Sequence, residues 1–531
     1  MSDNRVIGAS KKLGLRRAEP GKQPEPVTPE PVVTTPEPMP PMAAVLTRPP
    51  KPARLQPAEP PSKSVLWVGA AAGVAGAAML QLDRPGIGWF LTALVGVGGV
   101  FLVTRPRNPL SIAWALLALT LLATGALHAS TWMFTLCVVA ASTAGSLAVT
   151  NGKSLRGVVF GAMAVPFAVL PSIPWVARGL RTIKPGRKDV TLGRTVLISA
   201  ALLLVFVPLL AGADAAFAGL LEKLVPNVDG EAPLRWGFFF VVVGLGTIAA
   251  CYVQVRPQAP EPTTEDRRPV SRLEWAVPVG VLVALFAVFV TVQLAGLFGG
   301  SEYVLRTANL TYAEYARGGF WQLLAVTVLT LGVIAGTVRF ASTESAADRL
   351  WLRVLLGALA GLTLVIVASA LTRMWSYQQA YGFTVLRLLV EATEVWLGVI
   401  YVLVIAAGVT LRTSWLPRAA VATGIGTLLV LSALNPDGLI AEQNVARWQE
   451  TNKIDVPYLA GLSADAVPAL TELPPELRNC LLVKIADGLV LEEDWRTWNL
   501  SRQQARAVLE GARWQNGCNY DGTTRSAEWG R

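Results

Sequence analysis

An all-α, polytopic transmembrane bundle is the fold class this sequence predicts, and three observations carry the prediction. Hydrophobic residues make up 53% of the chain and charged residues 15%, with a mean hydropathy of +0.47, outside the usual globular range. About a dozen apolar stretches lie between Ser64 and Leu434, most of them long enough for a helix to cross a hydrocarbon core about 30 Å thick. Lipid offers no partner for backbone N–H and C=O groups, so such stretches must be helical. Short loops between them carry Lys and Arg in an alternating way, which is how orientation in a bilayer is encoded.

Taken in order, residues 1–63 hold 15 prolines, with Thr28-Pro29-Glu30-Pro31 echoed by Thr35-Pro36-Glu37-Pro38. Such a segment buries too little apolar surface to offset its ordering entropy. It is expected to be a disordered, partly polyproline-II cytoplasmic arm, acting as a solvated tether or as a docking segment for a protein partner. Residues 64–434 form the transmembrane domain, with spans expected at 64–82, 86–103, 110–128, 131–150, 195–212, 236–255, 276–298, 320–338, 354–372, 391–411 and 419–434.

A twelfth apolar stretch, 158–176, contains Pro166, Pro171 and Pro174, which interrupt the hydrogen-bond ladder of a straight helix. Lys153 and Arg156 precede it, and Arg178, Arg181, Lys184, Arg187, Lys188 and Arg194 follow, opposed only by Asp189. Positive charge on both flanks points to a re-entrant segment or broken hairpin rather than a crossing. A kinked true span is the alternative. With that choice Arg105, Arg256, Arg339, Arg353, Arg412 and Arg418 all fall inside, while 213–235, 299–319 and 373–390 fall outside.

The expected location is therefore the plasma membrane, multi-pass, with a cytoplasmic N-terminus and an extracytoplasmic tail at 435–531. That tail carries 10 Lys/Arg against 14 Asp/Glu, a net −4 within a chain whose formal total is +10. It is expected to be small and helical. Ser501 and Gln504 form a capping box for one helix, and Pro474-Pro475 open another containing Leu477, Leu481 and Leu482.

Composition also excludes function classes. The positive charges sit in short loops rather than in one patch, so the bilayer, not nucleic acid, is the expected partner. Four cysteines divide into Cys137 and Cys251 within spans and Cys480 with Cys518 in the tail. The latter pair is a candidate disulfide in an oxidising exterior, two free thiols being the alternative. His128 is the only histidine and no CxxC occurs, which argues against a metal centre or His-based catalysis. Phosphate-loop, HExxH and G-x-S-x-G signatures are missing too. No catalytic residue and no cofactor is expected. Gly69 with Gly73, and Gly96, Gly98 and Gly99, are expected to let helix backbones approach.

Charge near a span end is the strongest lead to function, because placing it in hydrocarbon costs several kcal/mol. Arg387, Glu391 and Glu394 share a helix face, and Glu391 can pair with Arg387 across one turn. Arg373, Tyr377 and Tyr381 precede them. A second cluster, Glu302, Tyr303, Arg306, Tyr312, Glu314, Tyr315, Arg317 and Trp321, is expected on the same side, with Asp214 joining more remotely. Together these form either a polar cavity for an ion, lipid headgroup or peptide, or an interfacial belt with structural ion pairs.

At these residues the chain resembles a known family. Tyr312-Ala-Glu-Tyr-Ala-Arg-Gly-Gly-Phe-Trp-Gln-Leu323, Ala213-Asp-Ala-Ala-Phe217, Tyr381-Gly-Phe-Thr-Val-Leu-Arg387, Asn435-Pro-Asp, Asn444-Val-Ala-Arg447 and Leu462-Ser-Ala-Asp-Ala-Val-Pro468 are similar to motifs of a bacterial, mainly actinobacterial membrane-protein family. That family is domain of unknown function 4173, related to domain 4153, and the resemblance covers roughly 70–470. It implies a membrane fold without a mechanism and brings forward Asp214, Glu314, Arg317 and Arg387. The leading reading is a non-enzymatic role in envelope assembly, sensing or regulation. The runner-up is a transporter or channel using Arg387, Glu391, Glu394 and 158–176. A transferase acting on lipid-linked substrates is third.

Overall fold

A computed structural model describes residues 60–106, 108–150, 155–182, 232–255, 270–298, 320–342, 345–410, 413–489 and 494–510, with isolated positions between 199 and 217. Among the described residues nine helices are long and apolar enough to cross a membrane, and extended structure is limited to an isolated bridge between Val270 and Ala341. The molecule is an all-α, multi-pass membrane protein. Expected segments 1–59 and nearly all of 195–212 lie outside the described residues.

The first part of the bundle comprises α1 (Lys63–Met79), α2 (Ile87–Thr104), α3 (Pro109–Leu127) and α4 (Thr131–Thr150). The short α5 (Leu155–Ala162), α6 (Ala164–Thr182) and the long α7 (Ala232–Val255) follow. Helix α1 runs antiparallel to α7, with Gly69 against Ile248 and Gly76 against Val243. A β-carbon on Gly73 would stand 2.8 Å from the Phe240 carbonyl oxygen. The expected small-residue contact thus seats α1 directly on the α7 backbone.

The second part comprises α8 (Arg272–Phe298), α9 (Phe320–Phe340), α10 (Ala346–Tyr381), α11 (Val385–Thr410) and α12 (Leu416–Ala433). Helices α8 and α10 are parallel neighbours. Arg272 bonds Asp348 and, at 3.0 Å, Ser345 at their starts, while Ser369 donates to Gln293 Oε1 at 3.1 Å further along. Ser345 and Asp348 themselves close a capping box. Helix α10 has 36 residues, about 54 Å, so it outruns the hydrocarbon core. The expected outer loop 373–390 is thereby corrected. Residues 373–381 continue α10, α11 starts at Val385, and only 382–384 turn the chain. Gly382 makes that turn at φ 85°, in the left-handed region that glycine tolerates without a side-chain penalty.

The proline-rich stretch also differs from expectation in where it breaks. Pro171 and Pro174 lie inside continuous α6, and the interruption falls at Met163. Ser146 of α4 explains the site. Its hydroxyl donates to the Gly161 carbonyl at 2.6 Å and accepts from the Val165 N–H at 2.9 Å. One side chain thus satisfies backbone groups on both sides of the joint. Further along α6, Trp175 packs on Tyr252, and Gly179 meets Pro61. These contacts, with Val65, Val100 and Val149, gather at the end of the bundle where α1 starts and α2, α4 and α7 finish.

At the opposite end sits the tail: α13 (Pro436–Thr451), α14 (Val456–Leu459), α15 (Val467–Leu470), α16 (Pro475–Leu489) and α17 (Leu500–Glu510). Its core of Ile440, Leu459, Leu470, Leu481 and Leu482 is continuous with Phe383 and, less deeply, Val385 and Leu388 of the bundle. The cap of α17 is Asn499, whose Oδ1 accepts from the Arg502 N–H at 3.0 Å. It replaces the expected Ser501, which is buried within the first turn.

Between α2, α3, α4 and α7 runs a mainly apolar cavity of about 340 Å³. Protein interiors are otherwise packed like organic crystals.

Candidate functional site

The tail is fastened to the loops at its end of the bundle by buried polar side chains. Asn435 takes φ 50° and places Pro436 and Asp437 at the start of α13. Asp437 then accepts from the Trp132 indole at 3.0 Å and from the Ser463 N–H at 3.1 Å. Asp465 accepts from the Ala129 N–H and the Ser463 hydroxyl, both at 2.8 Å, and His128 Nδ1 stands 3.5 Å from its other oxygen. Burial pushes the Asp465 carboxyl up, but the polar side chains facing it, His128, Ser501 and Ser463, outweigh that and hold it below the usual carboxylate value. Asn499 reaches the Gly125 and His128 carbonyls at 2.9 and 2.8 Å.

Two arginines close the end of α10. Arg447 donates to the carbonyls of Gln379 at 2.9 Å and Ala380 at 2.7 Å. Arg387 donates to those of Tyr381 at 3.1 Å and Gly382. Four successive carbonyls that a helix end leaves without intrahelical partners are therefore met by positive charge. Burial and the neighbouring Arg387 pull the Arg447 guanidinium below its ordinary value. Arg387 also lies over the Tyr377 ring, 4.4 Å from its centroid, and Tyr377 stacks on Tyr381 at 4.8 Å. Asn444 completes the clamp, accepting from the Phe383 N–H at 3.1 Å and donating to its carbonyl at 2.9 Å.

Below this clamp, inside the bundle, lies Glu394 on α11. It is 1% exposed, and neither carboxylate oxygen has a hydrogen-bond partner among the described residues. One turn toward the clamp, Glu391 accepts from Gln378 Nε2 at 3.2 Å, while Gln378 Oε1 is buried and without a partner. Two turns the other way, Tyr401 is fully buried and donates to the Thr327 carbonyl of α9 at 2.6 Å. Arg373 is engaged with Gln293 of α8. Glu394 thus lies about 14 Å along α11 from Val385, among groups committed elsewhere.

A family model described as a domain of unknown function, DUF4153, matches residues 115–473. The chain belongs to the DUF4153 family. This is the relative of domain 4173 to which the sequence resemblance pointed, and the match to 4153 is the one that stands. No curated protein and no solved structure matches. In this DUF4153 chain the matched region runs from the middle of α3 to Leu473 of the tail, so it includes both the clamp and Glu394.

The sequence-derived candidates separate accordingly. Tyr381, Arg387 and Glu391 meet at the α10–α11 turn, but Arg387 turns back onto carbonyls and Glu391 pairs with Gln378, not with Arg387. Arg373 belongs to the α8–α10 contact. Asp214 is exposed and its Oδ1 accepts from the Phe217 N–H at 2.9 Å. Glu302, Arg306, Tyr312, Glu314, Tyr315 and Arg317 lie outside the described residues. Cys480 packs, partly buried, against the tail core, and Cys518 lies outside the described residues. Among the described residues no group of three His, Cys, Asp or Glu could hold a metal ion. Sequence reasoning missed Asp437, Asp465, Asn499 and Gln378 as joint-forming residues. The Asn435-Pro-Asp and Leu462-Ser-Ala-Asp motifs were the available signal for the first two.

Proposed function

We propose that this chain is a non-enzymatic, proton-coupled membrane protein of transporter type, with Glu394 as the residue that takes up and releases the proton. The observation that carries this reading is the isolation of the Glu394 carboxylate, buried with no donor on either oxygen among the described residues. A carboxylate in such surroundings needs a compensating positive charge. A proton fits better than a divalent cation, which takes six or more oxygen ligands. Glu391, bonded by Gln378, and Tyr401 lie one turn and two turns from Glu394 along α11.

Orientation follows the loop charges: tail outside, Arg105, Arg339 and Arg418 inside, in a plasma membrane. A disulfide between Cys480 and Cys518 would fit the same, oxidising side. The contacts of α6 at the far end of the bundle support a re-entrant 158–176 rather than a crossing. Envelope assembly or regulation through the tail is the second reading, favoured by the exposed Trp495 and Trp498 on its surface.

The test is a proton flux assay in vesicles holding the purified full chain and an internal pH dye. Wild type should dissipate an imposed pH gradient faster than empty vesicles. Glu394→Gln should reduce flux to the empty-vesicle rate while melting like wild type. Equal flux from wild type and Glu394→Gln would remove Glu394 from any pathway.

A further inference from the structure

We propose that the cavity between α2, α3, α4 and α7 is a binding site for one acyl chain of a bilayer phospholipid. Its volume, about 340 Å³, falls within the range of small-molecule pockets, roughly 300–1,000 Å³. It runs along the helix axes, its α2 wall extending from Trp89 to Phe101. That is about 18 Å of helix, close to the ~15 Å that one leaflet contributes to the hydrocarbon core.

The lining chemistry selects an apolar occupant. Three of its four hydroxyls are engaged, Ser142 being the fourth: Thr92 donates to the Ala75 carbonyl at 3.4 Å, Ser146 to Gly161 at 2.6 Å and Thr247 to Val243 at 2.8 Å. The remaining wall is mainly Ala, Val, Leu and Phe, and a cavity of that kind stays dry. An acyl chain matches this mainly apolar lining better than a polar solute does, and the surrounding bilayer supplies chains.

The glycines give an independent sign. Gly73, Gly76 and Gly99 are packed hard, a β-carbon on each meeting an atom at 2.8, 2.7 or 2.4 Å. The three glycines lining the cavity are not. A β-carbon on Gly145 of α4 or Gly246 of α7 would meet nothing within 4 Å, and one on Gly96 of α2 would meet only Thr247 Oγ1 at 3.5 Å. These residues bring no helices together; they widen the cavity from three sides. An acyl chain lying between them gives that width an occupant.

The experiment uses the full chain in vesicles of phosphatidylethanolamine and phosphatidylglycerol, doped with a phospholipid bearing a diazirine midway along one acyl chain. After illumination, adducts are mapped by peptide mass spectrometry. Wild type should carry adducts on inward residues such as Val97 and Ala118 as well as on outward Val139. Gly145→Phe should lose the inward adducts and keep those on Val139. Gly98→Phe, at a position outside the cavity where a β-carbon also meets nothing, should keep both. Wild-type adducts confined to outward residues would overturn the proposal, and that arm needs no variant to fold. Inward adducts undiminished in a folded Gly145→Phe protein would overturn it as well.

Discussion

Asn444 and Glu394 illustrate opposite uses of a buried polar side chain. Asn444 holds both the N–H and the C=O of Phe383 and is 7% exposed. Asn444→Ala leaves both backbone groups buried without a partner, at a cost of about 1–3 kcal/mol each. Thermal unfolding of the purified protein should show that as a lowered Tm, with proton flux per folded molecule unchanged. Glu394→Gln should do the reverse, because the carboxylate it removes makes no hydrogen bond among the described residues. Of these two residues, the sequence pointed to Glu394 through its charge in an apolar run, and to Asn444 only through a motif resemblance. The expected Arg387–Glu391 pair failed for a physical reason. Four carbonyls at the end of α10 compete for arginine, and charge-assisted bonds to a helix terminus win over a surface i, i+4 pair worth a few tenths of a kcal/mol.

At the scale of elements, hydropathy located the helices well because lipid forces apolar runs into helical form. It did less well at their ends. Helix α10 passes beyond its apolar run at both ends, from Ala346 to Tyr381, since its flanking residues are good helix formers and no breaker stands before Gly382. The joint between α5 and α6 was equally hidden, because the group that fixes it, Ser146, lies on another helix. Close packing of α1 on α7 was legible from Gly69 and Gly73, and it gives a sharp prediction. Gly73→Leu drives a side chain into the Phe240 carbonyl and ring, and overpacking of that kind costs about 1–3 kcal/mol. Gly98→Leu, with open space at its β-carbon, should be neutral. Tm values for the two variants in one detergent check the difference.

For the whole molecule, the polar joint makes attachment of the tail depend on pH. Asp465 has its folded-state pKa held below the ordinary value of 3.8. A depressed acid contributes stability above its unfolded pKa and loses that contribution as pH falls through the folded value. Hydrogen exchange across 435–510 should therefore stay slow from about pH 7 down to about pH 4 and accelerate below that. In Asp465→Asn the acid-dependent step should shrink. An unchanged step would mean that other carboxylates govern the joint. None of this joint could be placed from sequence, because its partners lie far apart in the chain and no local period links them.

Arg496 donates to the Ala78 carbonyl at 3.0 Å, Arg502 to that of Pro85 at 3.0 Å, and Arg84 to that of Gly488 at 2.7 Å. These bonds tie α16, α17 and the segment between them to the first turn between spans, across more than 400 residues of sequence. Loop closure over such a separation comes late and slowly. During synthesis the α1–α2 turn therefore stays uncovered until residues 488–502 have emerged. A ribosome that stops before residue 488 leaves the described spans without this latch, and the Ala78 and Pro85 carbonyls without the arginines that meet them.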